Sequence, residues 1–232
     1  VNFSGIIDLM TVTGRLAEVM QTAPQTLLDC YGANIPEAEI INNSVHNYLY
    51  GAYSGKAVVI ANLVPALTAA LPVVAESFAQ GNRLRTQRSV QMVLRITTIV
   101  CIPAGLGISA LAQEVCELFF GYNSEVAIGA PLLQVLAIAS IFIALTAAIN
   151  SLLQAVGRVS LPVKLILIGS LVKLAMNYIL VGIPQINIQA APWSTLACYL
   201  LVTVLSLIAL RQSVGELGVV SVFVKPLLAG LL

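Results

Sequence analysis

APLLQVLAIASIFIALTAAINSLL, residues 130–153, carries no charged side chain from its first residue to its last. About 20 apolar residues in a helix cross a hydrocarbon core about 30 Å thick, so this stretch reads as a membrane span. Outward from it the pattern repeats: Ala52 to Phe78 and Val90 to Leu111 precede it, and Leu161 to Val181 and Ala190 to Leu210 follow. Ser4 to Val19 is a more polar helical segment, and Val219 to Leu232 starts a further apolar run. The whole chain is 59% hydrophobic and 9% charged, with mean hydropathy +0.95, far from the roughly 45–50% apolar and 25% charged usage of soluble domains. Barrel strands alternate over about 10 residues, whereas these runs are longer and uniformly apolar. The expected fold is therefore all-α, a polytopic transmembrane helix bundle.

The charges fall in the joints between spans, and their sign alternates. Arg83, Arg85 and Arg88 follow the first full span, Arg158 and Lys164 flank the joint after the third, and Arg211 follows the fifth. Glu114, Glu117 and Glu125 occupy an intervening joint, and nothing charged stands between Ile183 and Trp193. Positively charged joints stay on the cytoplasmic side. The Arg83–Arg88, Arg158 and Arg211 joints are then cytoplasmic, and the polar stretch 20–47 is external. The ends carry no initiator Met, signal peptide or tail, so the chain is expected to be a piece of a longer protein.

Polar residues inside spans are costly, about 2.5–3.5 kcal/mol for a charge at mid-helix, so each needs a reason. Lys173 lies near the middle of its span, and Ser170, Lys173 and Asn177 share its face. That stripe suits either a water-filled substrate path or an interhelical hydrogen-bond network. Thr146, Asn150 and Gln154 form a second stripe at i, i+4 and i+8, for which interhelical bonding is the favoured reading. Lys56 stands about a turn inside its span and either snorkels or faces the path. Glu76 and Arg95 are interfacial. Asp8, Thr11 and Arg15 line one face of the first segment, fit to pair with neighbours or to hold a charged headgroup. Pro65, Pro72 and Pro103 are either static kinks or hinges.

No catalytic or phosphate-loop motif is present, and four scattered cysteines with one histidine, His46, supply too few ligands for a metal site. Neither cofactor nor metal is expected. Cys101 and Cys198 fall within spans, while Cys30 and Cys116 both map outside, where a disulfide is conceivable but not favoured. The arginine cluster has no interleaved aromatics, which argues against nucleic acid and for anionic lipid headgroups nearby.

Several strings resemble a known family. Leu49-Tyr50-Gly51-Ala52-Tyr53-Ser54-Gly55-Lys56-Ala57 with Pro65, Leu71-Pro72 and Phe78-Ala79-Gln80-Gly81-Asn82 is similar to the eighth helix of the multidrug/oligosaccharidyl-lipid/polysaccharide exporter superfamily. The nearest branch is that of polysaccharide transporters similar to the stage V sporulation protein B. Ile102-Pro103 with Gly105 and Leu118-Phe119-Phe120-Gly121 resembles its ninth helix. Leu153-Gln154-Ala155-Val156-Gly157-Arg158, then Pro162, Lys173 and Asn177, resembles the tenth and eleventh.

The resemblance implies a fourteen-helix transporter of two lobes. Residues 1–212 would form the second six-helix lobe, and residues 213–232 a cytoplasmic joint and the start of helix thirteen. The partners it implies are a lipid-linked glycan, membrane lipids and the first lobe of the same transporter. Its function would be flipping that glycan across the plasma membrane by alternating access, without enzymatic chemistry. Precursor flippases of this superfamily carry an arginine and a glutamate near the outer end of helix eight. This chain has Tyr53, Ser54, Gly55 and Lys56 there, a departure that bears on whether lipid II is carried. Lys56, Lys173 and Arg15 remain compatible with an anionic pyrophosphate headgroup. The rivals are a cation-coupled multidrug exporter, which needs acidic cavity groups, and a non-transporting membrane scaffold.

Overall fold

The computed structural model describes residues 3–68 and 83–215, and among these every regular element is helical. The helices are α1 (Phe3–Thr22), α2 (Pro24–Tyr31), α3 (Glu37–Ile41), α4 (Val45–Ala52), α5 (Val58–Ala61) and α6 (Leu63–Thr68). They are followed by α7 (Arg83–Ala110), α8 (Ala112–Phe120), α9 (Ser124–Ala155), α10 (Ser160–Leu180) and α11 (Ala190–Val214). Among the described residues four segments are long and apolar enough to cross a membrane: Gln87–Ala110, Ser124–Ala155, Ser160–Leu180 and Asn187–Val214. The protein is an all-α, multi-pass membrane bundle.

Those four segments coincide with four of the five expected full spans. The other, expected from Ala52, begins earlier at Val45, because Val45, Leu49 and Ala52 recur at helical spacing and are all buried. It is not one uniform helix. Between α4 and α5 the chain makes a π-helical turn, Tyr53–Ala57, and between α5 and α6 it is interrupted at Asn62. The interruption falls one turn before Pro65, whose missing N–H leaves the carbonyl four residues back without its helical donor. Pro72 and Glu76 lie outside the described residues, as does the apolar run from Val219. Pro103, by contrast, sits inside an uninterrupted α7.

The polar stretch 20–47 is not an irregular loop. It folds into α2 and α3, buries Leu27, Ile35 and Val45, and is tied down by the Tyr48 hydroxyl, which donates to the Asn34 carbonyl at 3.3 Å. At the far end of α9 the chain turns at Gly157, whose φ of +84° is open to glycine without penalty. The Arg158 N–H reaches the Leu153 carbonyl at 2.9 Å, and the Gly157 N–H that of Gln154 at 2.9 Å, which closes the helix with a Schellman motif.

The contacts divide into two compact units. One gathers Val1–Ala61, Ile108–Leu136 and Ser170–Cys198, and the other Asn62–Gly107, Ala137–Gly169 and Tyr199–Leu232. In the second unit, α7 approaches α9 where Gly105 leaves room: a Cβ there would stand 2.9 Å from the Ala137 carbonyl oxygen and 2.8 Å from Ile141 Cδ1. α9 and α11 are joined by the Thr146 and Thr203 hydroxyls, 2.9 Å apart, and Thr203 also donates to the Phe142 carbonyl at 3.2 Å. Of the second expected stripe, Thr146 and Asn150 are thus buried, whereas Gln154 is exposed and does not join them. The Oδ1 of Asn150 and the hydroxyls of Thr97 and Ser206 are buried in this unit without hydrogen-bond partners among the described residues.

Candidate functional site

The first unit holds a buried polar cluster built by α1, the π-turn, α10 and α11. α1 brings Asp8 to its inner face, with Val12, Leu16 and Val19 continuing the buried stripe. α10 is mostly apolar and exposed, but Gly169, Lys173 and Asn177 form a narrow buried line at helical spacing. Lys173 is 1% exposed, and its Nζ lies 2.7 Å from Asp8 Oδ2. The same oxygen accepts the Tyr53 hydroxyl at 3.0 Å, and Oδ1 accepts Asn177 Nδ2 at 2.9 Å. Asn177 Nδ2 also reaches the Thr11 hydroxyl at 3.2 Å, while its Oδ1 accepts the hydroxyl of Ser194 on α11.

This cluster satisfies the general requirement for charge inside a bundle. An isolated buried charge is prohibitive, and a pair is tolerated only when geometry is good and remaining lone pairs are filled. Here one carboxylate receives an ammonium, a phenol and an amide, and the amide's own oxygen is filled in turn. Lys173 and Asp8 neutralise each other, so neither is a free charge in a water-filled path. Of the Ser170, Lys173 and Asn177 stripe, Lys173 and Asn177 bond to neighbouring helices, and Ser170 is half-buried at its edge.

The pairings also orient the helices. Asp8 meets Lys173, Thr11 meets Asn177, and Arg15 meets Tyr178, so the partners ascend together along both chains. α1 and α10 run parallel. That relation is required of two helices that both start from the same side of the membrane, and it rests on contacts rather than on charge counting.

Lys56 is likewise engaged. Its Nζ lies 3.2 Å from Glu125 Oε2 at the start of α9 and 4.4 Å from the centroid of the Phe120 ring. α9 comes close at Gly129, where a Cβ would meet the Ala52 carbonyl oxygen at 3.2 Å and Lys56 Cβ at 3.3 Å. Arg15 pairs with Glu18, three residues on, and stacks 4.5 Å from the centroid of Tyr178.

Two members of the cluster, Tyr53 and Ser194, have no signal in the sequence beyond being polar. The π-turn that carries Tyr53 widens the helix by one residue, and such turns recur at functional sites. Among the described residues no group of His, Cys, Asp or Glu is arranged to hold a metal. All four cysteines are free thiols: Cys30 is exposed, and Cys101, Cys116 and Cys198 are buried. In α8, outside the spans, burial pushes the Cys116 thiol above its ordinary pKa, with the Glu117 carboxylate adding to the shift.

Fold and cluster together define a multi-pass helical membrane protein with charge held inside its bundle, a construction characteristic of transporters. The family model described as "Lipid II flippase MurJ" matches residues 60–231, and the chain belongs to that family. The lipid II flippase MurJ of Bacillus subtilis (strain 168) is 27% identical over 128 residues, which is 55% of this chain and 23% of that protein. No solved structure matches the chain. The family lies within the multidrug/oligosaccharidyl-lipid/polysaccharide exporter superfamily whose helix strings the sequence resembles. Both matches carry the lipid II flippase description rather than that of the sporulation-protein branch. The family match takes in Lys173 and Asn177 and leaves out Asp8, Arg15, Tyr53 and Lys56.

Proposed function

We propose that this chain is one lobe of a flippase that moves a lipid-linked envelope precursor across the plasma membrane by alternating access. The observation that carries the reading is the family match over residues 60–231, on a chain whose helices are built as membrane spans. The alternation of basic and acidic joints sets the orientation: Arg88, Arg158 and Arg211 at the cytoplasmic face, stretch 20–47 outside. The remaining helices, the first lobe above all, belong to the rest of the full-length protein.

The cluster's role in this reading is to hold the lobe together. Alternating access moves lobes largely as rigid bodies, and a neutralised, fully bonded ion pair between α1 and α10 resists internal shear. Lys173 is buried against Asp8, so the cation that meets an anionic headgroup is one at an accessible edge of the lobe. The same pairing weighs against the multidrug-exporter alternative. Asp8 already holds an internal cation, so it does not serve as the free acidic group such a transporter needs.

The reading is tested in cells by depleting the full-length protein and measuring which side of the membrane holds the lipid-linked precursor, using an externally added enzyme that cleaves it. Accumulation of protected, inward-facing precursor with unchanged sensitivity to cationic drugs is expected. Normal precursor distribution with raised drug sensitivity would replace the flippase with the exporter.

A further inference from the structure

We propose that Arg15, backed by Tyr178 and Gly182, is the receptor for the phosphate of a prenyl-linked lipid at the outer end of the lobe, and that Glu18 holds the guanidinium when no lipid is bound. The proposal deepens the flippase reading and rests on it for the identity of the lipid.

Four observations meet at this residue. The guanidinium is stacked on the Tyr178 ring, with Cζ 4.5 Å from the centroid. It lies so close to Gly182 that a Cβ at that position would stand 2.8 Å from Arg15 Cζ and 3.0 Å from Nε, so position 182 leaves the cradle in which the guanidinium lies. Its Nε is buried without a hydrogen-bond partner among the described residues, while Nη1 pairs with Glu18. The pair lies at the accessible edge: the Arg15 side chain is 22% exposed and that of Glu18 57%.

A fixed, planar guanidinium held at an accessible edge is the arrangement that recognises phosphate oxygens; with Nε buried, the N–H that a phosphate meets first is that of Nη1, now on Glu18. Stacking on Tyr178 and backing by Gly182 remove most of the side chain's freedom before a ligand arrives, which lowers the cost of binding. Glu18 is a weak competitor. It sits three residues away on an exposed surface, where such pairs contribute little, so a phosphate displaces it at small cost and gives the under-satisfied guanidinium a better acceptor.

The surroundings suit a lipid. Arg15 stands level with the end of α10, which on the proposed orientation is the outer interface. On α10, Leu171 and Leu174 expose apolar side chains on the face that carries Tyr178. A prenyl chain lies along such surfaces while its phosphate reaches Arg15. Lys173 does not compete for this role, since its side chain is 1% exposed and lies against Asp8.

The test uses the full-length protein in phosphatidylcholine nanodiscs, with farnesyl pyrophosphate as probe and farnesol, inorganic pyrophosphate and phosphatidylglycerol-containing discs as comparisons. Farnesyl pyrophosphate is expected to bind at least about tenfold more weakly to Arg15→Gln, since a hydrogen bond to a charged group is lost. It should bind severalfold more tightly to Glu18→Gln, which removes the competitor without disturbing the stack. The Glu18→Gln arm stands even if Arg15→Gln fails to fold. Affinities within twofold of wild type in both variants would overturn the proposal. Inorganic pyrophosphate binding as tightly as the lipid form would assign the site to free phosphate and overturn the lipid. Arg15-dependent weakening of the probe by phosphatidylglycerol would overturn its selectivity for prenyl lipids. Arg15-independent binding in a protein that still moves glycolipid would sink this site alone; Arg15-dependent binding in a protein that moves none would sink the flippase reading alone.

Discussion

Breaking the Asp8–Lys173 pair from one side should cost far more than removing it altogether. The carboxylate and ammonium are buried, 2.7 Å apart, with side-chain exposures of 7% and 1%. Removing one partner strands the other, which costs about 3–5 kcal/mol, whereas replacing both with neutral groups of similar shape is close to neutral. Lys173→Met leaves Asp8 with only the Tyr53 hydroxyl and the Asn177 amide. Asp8→Asn leaves Lys173 facing a neutral amide. Asp8→Asn with Lys173→Met keeps an acceptor for Tyr53 and removes both charges. In a domain of 150–250 residues one kcal/mol moves Tm by about 2–4 °C, so each single variant should lower the melting of a lobe of this size by about 6–20 °C. The double variant should recover most of that loss. The assay is thermal unfolding of the full-length protein in detergent, followed by side-chain fluorescence, for wild type and the three variants. If the single effects add in the double variant to within about 0.5 kcal/mol, the two residues are uncoupled and the cluster does not hold α1 to α10.

Other outcomes follow from individual contacts. Gly105→Ala should destabilise by about 1–3 kcal/mol, read as a fall in Tm, and Ile141→Val should restore only part of it, because the Ala137 carbonyl stays 2.9 Å away. Thr203→Val removes the bonds to Thr146 and Phe142 and should cost about 0.6–2 kcal/mol, visible in the same melting assay. An impermeant maleimide on reduced, intact cells should label Cys30 and largely spare Cys116, which is buried with its thiol pushed up by that burial. Because maleimide reacts with the thiolate, raising the pH should speed Cys116 labelling, and unfolding in detergent should equalise the two.

How much of this was legible in the sequence depends on range. Spans were legible because hydropathy is local: Leu161 to Val181 was expected, and α10 runs Ser160–Leu180. The burial of Lys173 and Asn177 on one face was legible from helical spacing. What met that face was not, because Asp8 is 165 residues distant and Tyr53 reaches it from a third helix. Periodicity states which side chains share a face but not what packs against it. The π-turn at Tyr53–Ala57 was likewise invisible, since it shifts register by one residue without leaving a compositional mark. Gln154 shows the converse: spacing placed it with Thr146 and Asn150, but it is exposed in the last turn before Gly157, beside the fully buried Leu153.

The most direct measurement of the central claim is translocation of a fluorescent prenyl-pyrophosphate-linked oligosaccharide in proteoliposomes holding the full-length protein, run beside efflux of a cationic dye. The labelled lipid is expected to move between leaflets faster than in protein-free vesicles while the dye stays in place. Dye efflux with no movement of the lipid would contradict that claim.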